Sequence, residues 1–170
     1  MREKCIKLLD GLNAKLAEHF QVVGLQGDQW YVNPVAKGKW SPAEFHEHLM
    51  LAESASMAYV KIKISYPDNL KRVTLKEKVK AQKLKLWLKS TKKAEAPEAV
   101  VPKRIYSSPA EVQELWIKQR EALKTMIMEM PEGLLYTNIY KHPFVGKIGL
   151  HHMLHFYGWH FDRHHKQMRL

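Results

Sequence analysis

Cysteine is the residue this chain of 170 has least of, since Cys5 is its only one. A single cysteine excludes an intrachain disulfide, and chains without disulfides are typical of a reducing compartment. Long apolar runs are missing too, because no stretch approaches the roughly 20 residues that cross a bilayer. The first residues also lack the apolar core of a signal peptide. The sequence therefore predicts a cytoplasmic protein with no membrane partner.

Acidic residues are scarce as well, with 17 Asp and Glu against 28 Lys and Arg and a formal net charge of +11. Most of this excess lies between Lys71 and Arg104, a segment with 12 basic and 3 acidic residues. Its charge would suit a polyanionic partner. Proteins that bind single strands, however, interleave several aromatic rings with such charges, and Trp87 is the one aromatic residue of this segment. We therefore interpret 71–104 as a solvated basic connecting segment rather than a nucleic-acid surface.

Strand patterns are weak, and apolar residues at helical spacing dominate the chain. Four helices are predicted, over about 2–20, 41–64, 108–130 and 147–168. The second and third open on the same tetrapeptide, Ser-Pro-Ala-Glu. It supplies a capping side chain, a proline suited to the first turn and a carboxylate that completes a capping box.

The segment 71–104 separates the second predicted helix from the third. It is predicted to contain a short helix around 84–88 and an irregular or extended stretch over 94–102, which is rich in Ala, Glu and Pro. The whole chain, 1–170, is therefore predicted to be one all-α domain. Its expected architecture is a four-helix bundle with a long crossover between the second and third helices.

Histidines are numerous, ten in all, and a helical wheel sorts them by face. His160 and His164 are one turn apart, separated by about 40°, on the apolar face of the last helix. His48 shares the apolar face of the second helix with Phe45, where small alanines leave room. Three neutral imidazoles that meet inside a bundle suit Zn, Ni, Cu or Fe. The alternative is a chance grouping of two hydrogen-bonded histidines with an unrelated third.

The remaining histidines of these two helices fall mostly on other faces. His46 lies about 160° from His48 on the wheel, so we expect it to face outward. His152 lies to one side of the last helix, and its orientation is left open. Three more lie about 140° to 180° from His160 and are expected to face solvent: His151, His155 and His165.

Two polar residues near the converging histidines are candidates for a catalytic role. Glu44 lies one turn before the histidine of the second helix and could act as a general base, but a capping box with Ser41 is the preferred interpretation. Gln167 could orient a ligand or a bound water, or simply pack as a polar residue. Tyr59 and Tyr157 face inward, where core packing is expected and donation to a bound anion is the alternative.

Three short motifs, in this order, resemble the DinB-like superfamily. They are Trp40-Ser41 followed by His48-Leu49, then His142-Pro143-x-x-Gly146, then His160-x-x-Arg163-His164-x-x-Gln167. The resemblance implies a four-helix bundle with one divalent metal ion, Zn, Ni or Fe, bound by His48, His160 and His164. The wheel selects the same three residues. The resemblance also implies frequent homodimers.

Three protein ligands leave coordination positions open, as at catalytic rather than structural metal sites. A divalent ion with neutral ligands lowers the pKa of a bound water or thiol. We therefore expect a metal-dependent hydrolase or thiol S-transferase that acts on a small molecule, and the resemblance favours low-molecular-weight thiols. The alternatives are a non-catalytic metal-binding or interaction protein and, in third place, an anion-binding module formed by 71–104.

Overall fold

The computed structural model describes residues 1–92, 95–103 and 106–168, and most of them are helical. The helices in these ranges are α1 (Arg2–Gly24), α2 (Asp28–Val32), α3 (Pro42–Ser65), α4 (Leu75–Lys89), α5 (Pro109–Glu129) and α6 (Leu150–Met168). Two short strands, β1 (Tyr140–His142) and β2 (Gly146–Ile148), form an antiparallel hairpin before α6. The all-α class is confirmed, but the described residues form more helices than the four predicted.

Capping interactions set the starts of α3 and α5 at the predicted positions. The Ser41 hydroxyl accepts from the Glu44 backbone N–H at 3.2 Å, and Glu44 Oε2 accepts from the Ser41 N–H at 2.8 Å. The capping box predicted there is thus confirmed. At the start of α5, the Ser108 hydroxyl accepts from the Glu111 N–H at 3.4 Å. Helix α1 continues to Gly24, beyond its predicted end.

Helix α4 fills much of the predicted connecting segment. A helix is present at 84–88, as expected, but it spans Leu75–Lys89, so the expectation that it is short is wrong. Its start is a second capping box, in which the Thr74 N–H donates to Glu77 Oε2 at 2.8 Å. Its apolar side is buried at helical spacing: Ala81, Leu84 and Leu88. The helix packs against α6. Lysines separate these apolar residues along the sequence, so the helical apolar pattern is hard to recognise there.

The stretch after α4 was predicted to be irregular. Its described part contains one 3-10 turn, Glu98–Val100, which packs against α3. Positions 93–94 and 104, which belong to the predicted segment, lie outside the described residues. The turn brings the Val100 carbonyl to α3, where it lies 2.8 Å from His48 Nδ1.

The lead-in to α6 is a β-hairpin that the sequence patterns did not predict. Tyr140 pairs with Ile148, and Gly146 has a φ of 73° at the turn. Residues with a β-carbon are strained in that region, which explains the glycine. Helix α6 consequently begins at Leu150 instead of the predicted Lys147.

One buried ion pair ties the long helices together. Arg120 on α5 donates through Nε and Nη2 to both carboxylate oxygens of Glu53 on α3, at 3.0 and 2.7 Å. Arg120 Nη1 also donates to the Leu12 carbonyl of α1 at 2.7 Å. From α6, the Tyr157 hydroxyl donates to the Glu53 backbone carbonyl at 3.2 Å, so Tyr157 is a core residue. This network links α1, α3, α5 and α6. Breaking it costs free energy, because the loss of one partner leaves a buried charge uncompensated.

Among the described helices, none combines the length and the apolar character needed to cross a membrane.

Candidate metal centre

Three imidazoles from two helices meet at one point inside the protein. His48 of α3 and His160 of α6 approach with their Nε2 atoms 3.2 Å apart, and the Nε2 atoms of His160 and His164 are 3.0 Å apart. One ring nitrogen of each histidine lies within 4.8 Å of those of the other two. Within the part of the chain that the structure describes, no other group of three metal-binding side chains meets this criterion. The convergence predicted from the wheel and from the resemblance is therefore confirmed.

The other ring nitrogen of two of these histidines is held by a hydrogen bond. His48 Nδ1 donates to the Val100 carbonyl at 2.8 Å, which requires the proton to be on Nδ1. His164 Nδ1 lies 2.6 Å from Gln167 Oε1, and the amide oxygen can only accept, so this Nδ1 also carries the proton. Both histidines therefore present an Nε2 lone pair to the common point. Such support for the outer nitrogen is usual at metal-bound histidines.

The three Nε2 atoms cannot satisfy one another by hydrogen bonding alone. His48 and His164 both present acceptors, and a neutral His160 has at most one proton on Nε2. At most one of the two close contacts can then be a hydrogen bond. A cation among the three lone pairs satisfies all of them at once, so the donor set fits a bound metal ion.

Burial keeps these imidazoles neutral. It lowers the pKa of His164 to about 3, lowers that of His160 well below its ordinary value, and lowers that of His48 as well. Burial is the largest cause in each case, because charging a buried ring costs free energy. For His160 and His164, neighbouring imidazoles contribute further. The neutral form is the one that a metal ion requires.

Aromatic rings enclose the cluster. The Trp40 ring lies 5.0 Å from that of His48, and Phe45 lies 5.3 Å from His164, both measured between centroids. On the α6 side, Phe156 stacks on His160 at 5.1 Å. These apolar walls restrict the orientation of the imidazole rings and lower the local polarity, which strengthens electrostatic interactions within the site.

The candidate catalytic residues from the sequence have structural partners. Gln167 accepts the hydrogen bond from His164 Nδ1, so it acts on a histidine of the cluster. Glu44 lies in the capping box with Ser41, the interpretation preferred from the sequence. Tyr59 is partly buried and packs on the core, with its ring 6.4 Å from that of Tyr140. A catalytic role for Glu44 or Gln167 stays a prediction.

The prediction that His46 faces outward is wrong. Its side chain is 0% exposed, with Nδ1 3.2 Å from the Tyr31 hydroxyl and Nε2 2.6 Å from His19 Nε2. Helix α2, which the sequence patterns did not reveal, covers this side of α3 and supplies Tyr31. The wheel gives the face on which a residue lies, but it does not say what packs there.

The histidines of α6 expected to face solvent are half-buried instead: His151, His155 and His165. His165 Nδ1 lies 3.0 Å from His19 Nδ1, so His19 joins His165 to His46. The sequence patterns did not point to His19. Its position on α1 between the buried Leu16 and Phe20 was the available signal.

Comparison with known proteins gives one match. The family model of the DinB superfamily matches residues 8–168, nearly the whole chain. No curated protein and no solved structure matches it. The match spans all three histidines of the cluster.

Proposed function

Because this chain belongs to the DinB superfamily, we propose that it holds one divalent metal ion at His48, His160 and His164 and uses it in thiol S-transfer on a small molecule. The observation that carries the proposal is the convergence of three Nε2 atoms. The donors are neutral nitrogens, which suit Zn, Ni or Fe, whereas Mg and Ca prefer oxygen ligands. The four-helix arrangement implied by the resemblance is part of the same proposal.

A bound divalent ion would supply Lewis acidity, which lowers the pKa of a thiol that it coordinates. The chain supplies the binding and the positioning of the ion. The three imidazoles bind and, being neutral, leave the positive charge of the ion undiminished. Val100 and Gln167 hold two of the rings in place, and the surrounding aromatic rings restrict the orientation of all three.

The reacting thiol comes from a small molecule rather than from the chain. Cys5 is buried in the core, and burial raises the pKa of its thiol to about 11. A thiol with so high a pKa is a poor nucleophile at neutral pH. A low-molecular-weight thiol is therefore the co-substrate that we propose.

Thiol transfer fits the site better than hydrolysis. Hydrolysis gains more from a separate general base, and the candidate Glu44 already accepts the Ser41 N–H through Oε2. A thiol made acidic by the ion needs less help to become a nucleophile. Hydrolysis of a small ester or amide is the second reaction that this site would support.

A non-catalytic metal-binding or interaction protein is the alternative function. It is favoured by the roles of the two polar candidates. Glu44 caps the start of a helix, and Gln167 holds a histidine of the cluster, so neither is placed to act as a general base. Metal would then act only by stabilising the folded chain through binding. Turnover, rather than metal content, separates the alternatives.

The test uses Co(II)-loaded wild-type protein, His160→Ala and His165→Ala. His165→Ala is the matched control, since it removes an imidazole from the same helix and leaves all three ligands intact. Glutathione, cysteine and coenzyme A are added in turn, with 1-chloro-2,4-dinitrobenzene as the electrophile. We expect a sulfur-to-cobalt charge-transfer band and turnover in wild type and His165→Ala, and neither in His160→Ala. A band without turnover would favour the non-catalytic alternative, and equal turnover by metal-free protein would refute metal dependence.

A homodimer and a cytoplasmic setting complete the proposal. The dimer rests on membership of the superfamily, and the cytoplasmic setting rests on the single cysteine, which is free and buried. Multi-angle light scattering of untagged protein tests the first, with a mass of twice 19.9 kDa expected.

A further inference from the structure

A cavity of about 800 Å³ adjoins α6 away from the metal centre, and none of the three metal-site histidines lines it. Lining residues come from α1, α4, α6 and the segments before α4 and α6. The volume is in the range that accommodates a small organic molecule. Its wall on α6 consists of four residues at the N-terminal part and middle of that helix: His151, His152, His155 and Trp159.

The charge around this cavity has one sign. Lys4 of α1, Arg72, and Lys78 and Lys85 of α4 line it, and its described lining includes no Asp or Glu. Glu77 lies near His152, but its Oε2 accepts from the Thr74 N–H and hydroxyl. Four basic side chains without a lining carboxylate make the cavity complementary to a multiply charged anion.

The cations lie beside apolar surface. Lys85 Nζ lies 5.7 Å from the centroid of the Trp159 ring, and the Arg72 guanidinium lies 5.9 Å from that of Tyr136. The Val73 N–H donates to the Tyr136 carbonyl at 2.8 Å, which fixes the backbone that carries Arg72. A ligand could therefore contact positive charge and aromatic rings together, as an organic anion with an apolar body requires.

The histidines add polar groups to the cavity wall, and burial together with nearby cations disfavours their charged form. The His152 Nδ1 accepts from the Gly149 N–H at 3.4 Å, so its proton lies on Nε2, which can donate. Burial, and then the nearby His155, His152 and Lys4, lower the pKa of His151 to about 4. Lys85 contributes to a lowered pKa of His155 in the same way. Cations that disfavour a charged imidazole favour an anion in the same place.

We propose that this cavity binds a small organic phosphate. The phosphate contacts the side chains of Arg72, Lys78 and Lys85, and the organic part packs against Trp159 and Tyr136. A doubly charged phosphate fits four cations better than a single carboxylate does, and the arginine can bind it through two nitrogens. The site is independent of the proposed metal chemistry, because the two sites share no residue.

The test measures the binding of 1-naphthyl phosphate to the metal-loaded protein by isothermal titration calorimetry at constant ionic strength. The variant is Lys78→Gln with Lys85→Gln. Its matched control is Lys76→Gln with Lys83→Gln, the same charge change at the same seven-residue spacing on the same helix. Lys76 and Lys83 are exposed and do not line the cavity. On the wheel they lie about 160° from the first pair.

We expect one molecule of 1-naphthyl phosphate per chain. Affinity should fall roughly tenfold or more in the cavity variant and less than about threefold in the control. 1-Naphthol, which lacks the charge, should bind at least roughly tenfold more weakly than its phosphate. Equal losses in the two double variants, equal binding of 1-naphthol, or no binding to wild type would each overturn the proposal. His160→Ala should bind the probe normally, so failure of the metal chemistry and failure of this site can be told apart.

Discussion

Two clusters of three histidines lie side by side in this protein, and the same two helices contribute to both. Helix α3 supplies His48 to one cluster and His46 to the other. Helix α6 supplies His164 to one and His165 to the other. In the first cluster the Nε2 atoms converge. In the second the rings are joined end to end, because His19 uses Nε2 toward His46 and Nδ1 toward His165.

The difference shows that histidine content alone does not make a metal site. In the second cluster, the Tyr31 hydroxyl can donate to His46 Nδ1, His46 Nε2 to His19 Nε2, and His19 Nδ1 to His165 Nδ1. His46 and His19 then each give one hydrogen bond and receive one, and His165 receives one. In the first cluster the outer nitrogens of His48 and His164 are satisfied by Val100 and Gln167, and the inner lone pairs face one another. The first cluster fits a cation, and the second is a structural relay of hydrogen bonds.

Loss of a convergent imidazole should have the largest effect. His160→Ala is expected to lower the metal content from one ion per chain to nearly none, because two ligands remain of three. His165→Ala should keep the full metal content. Elemental analysis of protein purified without a histidine tag measures both. Equal metal loss in the two variants would remove the distinction between the clusters.

Truncation within the relay should destabilise the fold and spare the metal. His46→Ala removes a fully buried ring, and we expect a loss of roughly 2–4 kcal/mol in the free energy of unfolding, since a cavity forms and buried partners lose hydrogen bonds. Tyr31→Phe should cost only about 1 kcal/mol. Urea denaturation followed by circular dichroism gives both values. A His46→Ala protein of normal stability that lacks metal would show that His46 belongs to the metal centre.

Gln167 tests whether the hydrogen bond to the outer nitrogen of His164 supports metal binding. Gln167→Ala should weaken metal affinity by roughly tenfold, because it frees the outer nitrogen of His164 and lets the ring reorient. Lys166→Ala changes an exposed neighbour and serves as the control. Competition with a chromogenic chelator measures the affinities. Equal affinity in wild type and Gln167→Ala would mean that this hydrogen bond does not support the centre.

Acid should destabilise the metal-free protein gradually. Burial lowers the pKa of both His19 and His142 to about 4, so below pH 6.5 the unfolded chain binds protons that the folded chain does not. The contribution of these two neutral rings to the free energy of unfolding is therefore complete well above pH 6.5 and is lost as the pH falls toward 4. Between pH 7.5 and 6.0 each ring should contribute a loss of about 1 kcal/mol. Urea midpoints at the two pH values, measured with chelator present, check this, and a midpoint that rises on acidification would contradict it.

Much of the candidate metal centre could be predicted from the sequence, since its three histidines lie on faces that a wheel identifies and within motifs of a recognisable family. The starts of α3 and α5 could be predicted because capping depends on neighbouring residues. Helix α4 was largely missed because its lysines hide a narrow apolar stripe. The burial of His46 and the Glu53–Arg120 pair depend on which helices are neighbours. A pattern within one helix does not contain that information.

X-ray absorption spectroscopy at the edge of the metal that copurifies with untagged protein tests the central claim most directly. The spectrum should show three imidazole nitrogens around the ion, at about 2.0–2.1 Å if the ion is zinc. The His165→Ala protein should give the same spectrum. Fewer than three imidazoles, or a sulfur ligand from the chain, would contradict a centre built from His48, His160 and His164.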